Sequence, residues 1–229
     1  MLIEMAVQRT TPARRYDDGC AAAHALDLVG ERWALLVVRE LLLGPRRFSD
    51  LRADLPGISP NVLSQRLRDL EHIGVIVREE LPPPAARRVY ALSDWGRELE
   101  PVLQQLGRWG ARSPGRPQAP ISLATLVTAM KTMFHPPAAQ GLTGAVAVKI
   151  SHDRFLVRIE NGELDVQRGV SGRADVTLTG DVQTLGGLCF GGLPLAEAEA
   201  GGLIVDGDRA WAQRFLGLFQ MPEVVGTGS

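Results

Sequence analysis

The sequence predicts two domains: a mainly α N-terminal half carrying one β hairpin, followed by an α+β half built on an antiparallel sheet. Three observations predict this. Apolar residues recur at helical spacing through the first hundred or so positions, whereas short alternating segments and many glycines take over afterwards. Between them, Arg112 to Pro120 (RSPGRPQAP) concentrates Pro, Gly and Ser, the composition of a linker. The boundaries that follow are 1–111, a linker at 112–120, and 121–229, two units of ordinary domain size.

In the first half, Ala21 to Leu28 and Glu31 to Leu43 read as helices, with Val29, Trp33, Leu36, Val37 and Leu41 on one apolar stripe. Gly44-Pro45 stops the second of these, since Gly suits the position after a helix and Pro cannot continue it. A short helix follows from Arg47 to Asp54, then the tight turn Leu55-Pro56-Gly57-Ile58. Ser59 and Pro60 read as cap and first residue of a helix running to His72, because Ser accepts from free amides and Pro needs no donor there. Gly74 ends that helix. Val75 to Glu79 and Arg88 to Leu92 are then two strands, with the stiff tip Leu81 to Ala86 between them. Ser93 caps a last helix through Trp109, and Pro101 inside it predicts a kink or break. Two helices joined by a Gly-containing turn and followed by a hairpin have the order of a winged helix-turn-helix.

On a wheel of about 100° per residue, Leu63, Leu67, Leu70 and Ile73 point to the domain core. Asn61, Gln65, Arg68 and His72 fall on the opposite side. Asn and Gln pair bidentately with adenine, and Arg with guanine, in the major groove. The candidate DNA-reading set is therefore Asn61, Ser64, Gln65 and Arg68, with the helix start and the hydroxyls of Ser59 and Ser64 also placed to hold phosphate. Arg46 and Arg47 on one margin and Arg87 and Arg88 on the other are expected to grip the backbone. His72 lies too near the helix end to reach a base.

In the second half a helix over Ser122 to Phe134 precedes four predicted strands: Gly144 to Ile150, Arg154 to Glu160, Glu163 to Arg168 and Ala174 to Thr179. Asn161-Gly162 is a strong two-residue hairpin signal. Helices are expected at Asp181 to Phe190, Pro194 to Ala200 and Asp208 to Phe219, with Asp181 and Asp208 as caps.

Composition narrows the classes. The 229 residues are 45% hydrophobic, enough for real cores, and the net charge is -1. That balance hides an asymmetry: residues 1–118 carry 17 Arg, no Lys and 15 acids, and the rest 8 basic and 11 acidic residues. An all-Arg basic side favours bidentate contacts to phosphate or guanine, although a GC-rich genome produces the same bias. Apolar runs such as Leu35 to Val38 are broken well short of a membrane span, and Met1 to Thr10 lacks a signal-peptide core, so a cytoplasmic protein without membrane contact is expected. Cys20 and Cys189 form neither a disulfide framework nor a metal spacing. His24, His72, His135 and His152 show no paired ligand spacing, and no nucleophile elbow or phosphate loop occurs. The expectation is no catalysis, no metal and no cofactor.

The run Leu26-Asp27-Leu28-Val29-Gly30-Glu31-Arg32-Trp33, then Arg46-Arg47-Phe48-Ser49-Asp50-Leu51, Gly57-Ile58-Ser59 and Leu63-Ser64-Gln65-Arg66-Leu67-Arg68-Asp69-Leu70-Glu71 resembles the HxlR family of bacterial winged-helix regulators. Arg88-Val89-Tyr90-Ala91-Leu92-Ser93, Gly96 and Trp109-Gly110 extend the match. The resemblance implies a homodimer on double-stranded DNA, with the helix from Pro60 in the major groove, the wing near the backbone, and an interface from roughly Ala21 to Leu28 and Asp94 to Trp109. Repression is the expected outcome on that resemblance.

Asp175-Val176-Thr177-Leu178-Thr179-Gly180-Asp181, Gly191-Gly192 and Gly202-Leu203-Ile204-Val205-Asp206-Gly207-Asp208 resemble the sterol carrier protein 2 domain. That implies a tunnel for an apolar effector, lined by Met130, Phe134, Phe155, Leu188, Phe190, Trp211, Phe215 and Phe219, although the same residues at helical spacing also read as ordinary core. Two other readings stand beside the regulator. One is a small-molecule carrier whose first domain only dimerises. The other is redox sensing through Cys20: the HxlR resemblance implies it, since several family members sense oxidants or electrophiles at the matching position, and the helix start with nearby Arg14 and Arg15 would favour the thiolate. Against it, Cys20 reads as a small residue buried at a helix start, with Asp17 and Asp18 expected to raise its pKa.

Overall fold

The computed structural model describes residues 16–80, 88–117, 119–169 and 172–226. Arg14 and Arg15, the hairpin tip Leu81 to Ala86, and Arg87 lie outside them. In the first half, α1 (Ala21–Val29), α2 (Ala34–Leu41), α3 (Phe48–Asp54) and α4 (Pro60–His72) are followed by β1 (Ile76–Glu80), β2 (Arg88–Leu92), α5 (Asp94–Arg97) and α6 (Leu99–Ala111). Val37, Val38, Leu41, Leu51, Leu55, Leu63, Leu67 and Leu70 form the centre of one core, each at most 1% exposed. Burying each such leucine contributes about 1.5–3 kcal/mol.

Local chemistry accounts for most of the boundaries. Ser59 accepts from the Val62 amide at 3.3 Å and Pro60 opens α4 as expected. α2 begins at Ala34 rather than Glu31, because Trp33 takes a left-handed backbone, φ 79°, with the Arg32 guanidinium 5.2 Å from its ring centroid. The last helix is interrupted at Glu98, between α5 and α6. Pro101 has no amide for the Arg97 carbonyl, which removes the bond that would have spanned the break. β1 and β2 pair antiparallel from Ile76↔Leu92 to Glu80↔Arg88. Arg46 adds a rung: its amide donates to Tyr90 O at 2.9 Å, and the Tyr90 amide donates back at 2.8 Å.

The second half contains α7 (Leu123–Met133), a 3-10 turn (Pro136–Ala139), β3 (Gly144–Ile150), β4 (Asp153–Glu160), β5 (Glu163–Arg168), β6 (Val176–Gly180), α8 (Val182–Phe190), α9 (Leu195–Ala200), β7 (Ile204–Gly207) and α10 (Arg209–Leu216). The expected antiparallel sheet is instead mixed, in the order β5-β4-β3-β6-β7. Asn161 and Gly162, at φ 53° and 80°, make the predicted hairpin between β4 and β5. After β5 the chain crosses to the other side of β3. There the Asp175 amide donates to Ala145 O at 2.8 Å while Asp175 Oδ2 accepts from the Ala145 amide at 2.7 Å. β6 thereby runs parallel to β3, from Val146↔Val176. β7 is a fifth strand beyond the four expected, and it pairs antiparallel with β6. Asp181 and Asp208 cap α8 and α10 as predicted. Helices α7, α8 and α10 pack their apolar sides on this sheet around Leu126, Met130, Leu185, Trp211 and Phe215.

Helix α2 touches α4 on one side and α7 of the second half on another. Glu40 of α2 is fully buried; its Oε1 accepts from Ser122 Oγ at 2.9 Å and from the Arg39 guanidinium. Burial pushes the Glu40 carboxyl above its ordinary pKa, with Arg39 opposing. Arg168 donates to Leu43 O at 3.2 Å, and Arg108 to Thr132 O. At the far end, the Val225 amide donates to Arg112 O at 2.9 Å, and Arg112 Nε to Glu223 O at 3.3 Å.

Candidate nucleic-acid interface

Leu63, Leu67 and Leu70 anchor α4 in the core, and the opposite face is open: Asn61, Gln65, Arg68 and His72 are exposed and Ser64 is half-buried. On that face Arg68 Nη2 donates to Gln65 Oε1 at 2.6 Å, and Gln65 Nε2 donates to Asp69 Oδ1 at 2.6 Å. Both ends of the Gln65 amide are thus occupied by neighbours one turn away, and a base edge must displace them to be read. Asp69 was missed from sequence, although its i+4 spacing from Gln65 is the available signal. Arg66 is mostly covered; it reaches Asp69 at 3.2 Å and Glu31 at 3.7 Å, tying α4 to the α1–α2 corner.

The flanking arginines divide. Arg46, expected on phosphate, has a side chain only 14% exposed and turned to Asp54 at 3.9 Å, while its backbone bonds Tyr90. It is a clamp between the α3 approach and the wing, since its main-chain rung with β2 draws the residue inward. Arg47 precedes α3 as its N-cap residue, half-buried. Arg88 is exposed at the start of β2, opposite Glu80. Arg78 on β1 was not singled out from sequence; it pairs with Glu71 at 2.9 Å and lies over the Tyr90 ring, bracing the wing against α4.

Leu26 of α1, Trp95 of α5, and Val102, Leu106 and Trp109 of α6 are exposed, Trp109 to 74%. Large apolar groups left to water on neighbouring helices mark a surface suited to burial against another chain.

Of the expected ligand-lining residues, Met130, Phe134, Phe155, Leu188, Trp211, Phe215 and Phe219 are buried and Phe190 is half-buried, all within the second core. Phe219 meets Phe215, Phe190 and Phe134 at centroid distances of 5.1, 6.1 and 6.5 Å. The three ring pairs are tilted or edge-on, so the four phenylalanines form one packed cluster inside that core.

Cys20 is exposed at the start of α1, contrary to the expectation of burial. The amides of Ala23 and Ala22 stabilise its thiolate and hold its pKa below the ordinary thiol value. The expected upward push from Asp17 and Asp18 is not the governing influence, and Asp18 Oδ1 is taken by the Cys20 amide at 2.9 Å. Cys189 is buried and its pKa is pushed up to about 12.

Residues 28–116 match the family described as HxlR-like helix-turn-helix. The HTH-type transcriptional regulator YvaP of Bacillus subtilis is 42% identical over 85 residues, which are 37% of this chain and 79% of that protein. The chain belongs to the HxlR-like helix-turn-helix family. The HTH-type regulator YdeP of Bacillus subtilis is 34% identical over 99 residues, 43% of this chain and 77% of that protein. The reduced form of the regulator YodB from B. subtilis is 31% identical, covers 42% of this chain and 95% of that one, and superimposes with a TM-score of 0.38. Residues 119–224 match the family described as Alkyl sulfatase C-terminal, where the sequence pattern had suggested sterol carrier protein 2. No helix among the described residues is long and apolar enough to cross a membrane.

Proposed function

We propose that this HxlR-family chain is a homodimeric, sequence-specific DNA-binding transcriptional regulator, a repressor of the cytoplasm, with DNA reading and dimerisation in 1–111 and effector reception in 121–229. The observation that carries it is the open polar face Asn61, Gln65, Arg68 on a helix whose other side is locked by Leu63, Leu67 and Leu70. Asn61, Gln65 and Arg68 read base edges. Ser59, Ser64, Arg47, Arg87 and Arg88 hold the phosphate backbone. The exposed Leu26, Val102, Leu106 and Trp109 supply the dimer contact. No catalytic role is proposed.

The test is binding of the full chain to an operator selected from random duplexes. Gln65→Ala and Arg68→Ala should each lose about 1–3 kcal/mol of specific affinity, whereas Arg47→Ala should weaken all duplexes alike and lower the salt slope by about 1. An unchanged sequence preference in the first two variants rejects groove reading.

For the second half we favour a sterol carrier protein 2-like unit taking an apolar effector over a freestanding carrier. The packed Phe219 cluster means that such a ligand selects an opened minor conformer, and its apparent affinity falls by the fraction open. A ligand that binds without altering operator affinity removes the coupling. A second reading, redox or electrophile sensing, is favoured by the exposed, thiolate-biased Cys20. Operator affinity unchanged after selective alkylation of Cys20 rejects it.

A further inference from the structure

An open groove of about 480 Å³ runs along the junction of the two halves, within the range of small-molecule sites. One wall is α6, with Glu100, Pro101 and Gln104. The facing wall is the end of α7 and its exit, with Lys131, Phe134 and Pro136. The β4–β5 turn closes the third side with Glu163 and Leu164. Three chain segments that are far apart in sequence therefore meet around one space.

Its charges decide what fits. Lys131 Nζ lies 2.7 Å from Glu100 Oε1, and both side chains are about 30% exposed, so this cation is already neutralised. Gln104 Nε2 approaches the same oxygen at 3.5 Å. The remaining charged lining residue is Glu163, exposed at the first position of β5. An anion entering the groove finds its cation taken and meets a carboxylate; a cation finds that carboxylate waiting. Pro101, Pro136 and Leu164 offer the apolar surface that a ring covers, whereas the Phe134 ring is buried against Phe219 and only its edge reaches the groove. The groove is open along its length, which does not suit a long acyl chain needing enclosure.

We propose that this junction groove binds a small aromatic amine, ring against Pro136 and Leu164, ammonium toward Glu163. Any effect on operator binding rests on the regulator reading above, because the amine would touch the helix that also bears Val102, Leu106 and Trp109; binding itself does not.

The test uses the full chain without DNA and three probes of one shape: 2-phenylethylamine, 2-phenylethanol and 3-phenylpropionate, followed by titration calorimetry and ligand-observed NMR. Wild type should bind the amine most tightly. Glu163→Gln should weaken the amine about two- to five-fold, the range of an exposed ion pair, and leave the alcohol unmoved. Glu163→Lys should reverse the order in favour of the carboxylate. Unchanged melting curves are expected for both variants, since Glu163 is solvent-facing. Equal binding of all three probes, preference of wild type for the carboxylate, an order unmoved by either variant, or no binding at millimolar concentration overturns the proposal. Operator binding, measured separately, fails or succeeds independently of these results.

Discussion

Two glycines in neighbouring helices should respond oppositely to the same added methyl. Gly96 lies in α5, and a Cβ there would sit 2.1 Å from Val75 O and 3.3 Å from Leu92 Cδ2. Val75 O already accepts from Ser93 N and Ser93 Oγ, each at 3.1 Å, and Ser93 Oγ also donates to Gly74 O at 2.7 Å. For Gly96→Ala the backbone contact must open by about 1 Å, which takes both 3.1 Å bonds out of range. Losing them costs about 1 kcal/mol each, and overpacking a further 1–3. The better helix propensity of Ala returns up to about 1 kcal/mol. The net expectation is destabilisation by about 2–4 kcal/mol. Gly107 in α6 is the control: a Cβ there meets only Thr132 Cγ2 at 3.9 Å, so Gly107→Ala should be neutral or gain up to about 1 kcal/mol. Urea unfolding followed by circular dichroism reads both, as midpoint shifts at constant slope. Because Val75 lies three residues past His72, the last residue of α4, Gly96→Ala should also weaken operator binding at temperatures where the fold survives. A Gly96→Ala protein within about 0.5 kcal/mol of wild type, or a Gly107→Ala protein that falls as far, refutes this account of the close approach.

Further outcomes follow from other contacts. Ser59→Ala should cost about 1 kcal/mol by freeing the Val62 amide, measured in the same unfolding assay. Cys20 should alkylate first under native conditions, with a rate midpoint below that of an ordinary thiol, while Cys189, pushed up to about 12, should stay unreacted until the chain unfolds; equal rates would contradict both placements. Glu40 holds its proton more tightly folded than unfolded, so its contribution to stability is whole below the ordinary glutamate range and is lost as pH rises through the raised value. Glu40→Gln should therefore gain on wild type as pH climbs from about 4 to 7, and a stability difference that stays constant or shifts in favour of wild type tells against the buried charge.

What could be read from sequence was what neighbouring residues decide among themselves. Ser59-Pro60, Asn161-Gly162, Asp181 and Asp208 each satisfy local amides or turn geometry, and all four fell where expected. Features closed by distant partners were not legible. The parallel pairing of β3 with β6 depends on Asp175 meeting Ala145, thirty residues earlier. Gly202 to Asp208 looks like turns because β7 is short, and only its partner β6 makes it a strand. Arg46 looks like any exposed arginine beside Arg47 until Tyr90 bonds its backbone. The phenylalanines of the second core are the same residues whether they line a cavity or fill one, and periodicity does not distinguish the two.

The hydrogen bond from Val225 to Arg112 brings the outgoing strand of chain back beside the incoming one. A module whose entrance and exit coincide can be grafted behind a host at a single surface point, with nothing to re-thread and no loop to lengthen. The DNA reader and its companion are thus joined as a socket and plug are, and a different plug of similar footprint on α2 and α6 could occupy the same place.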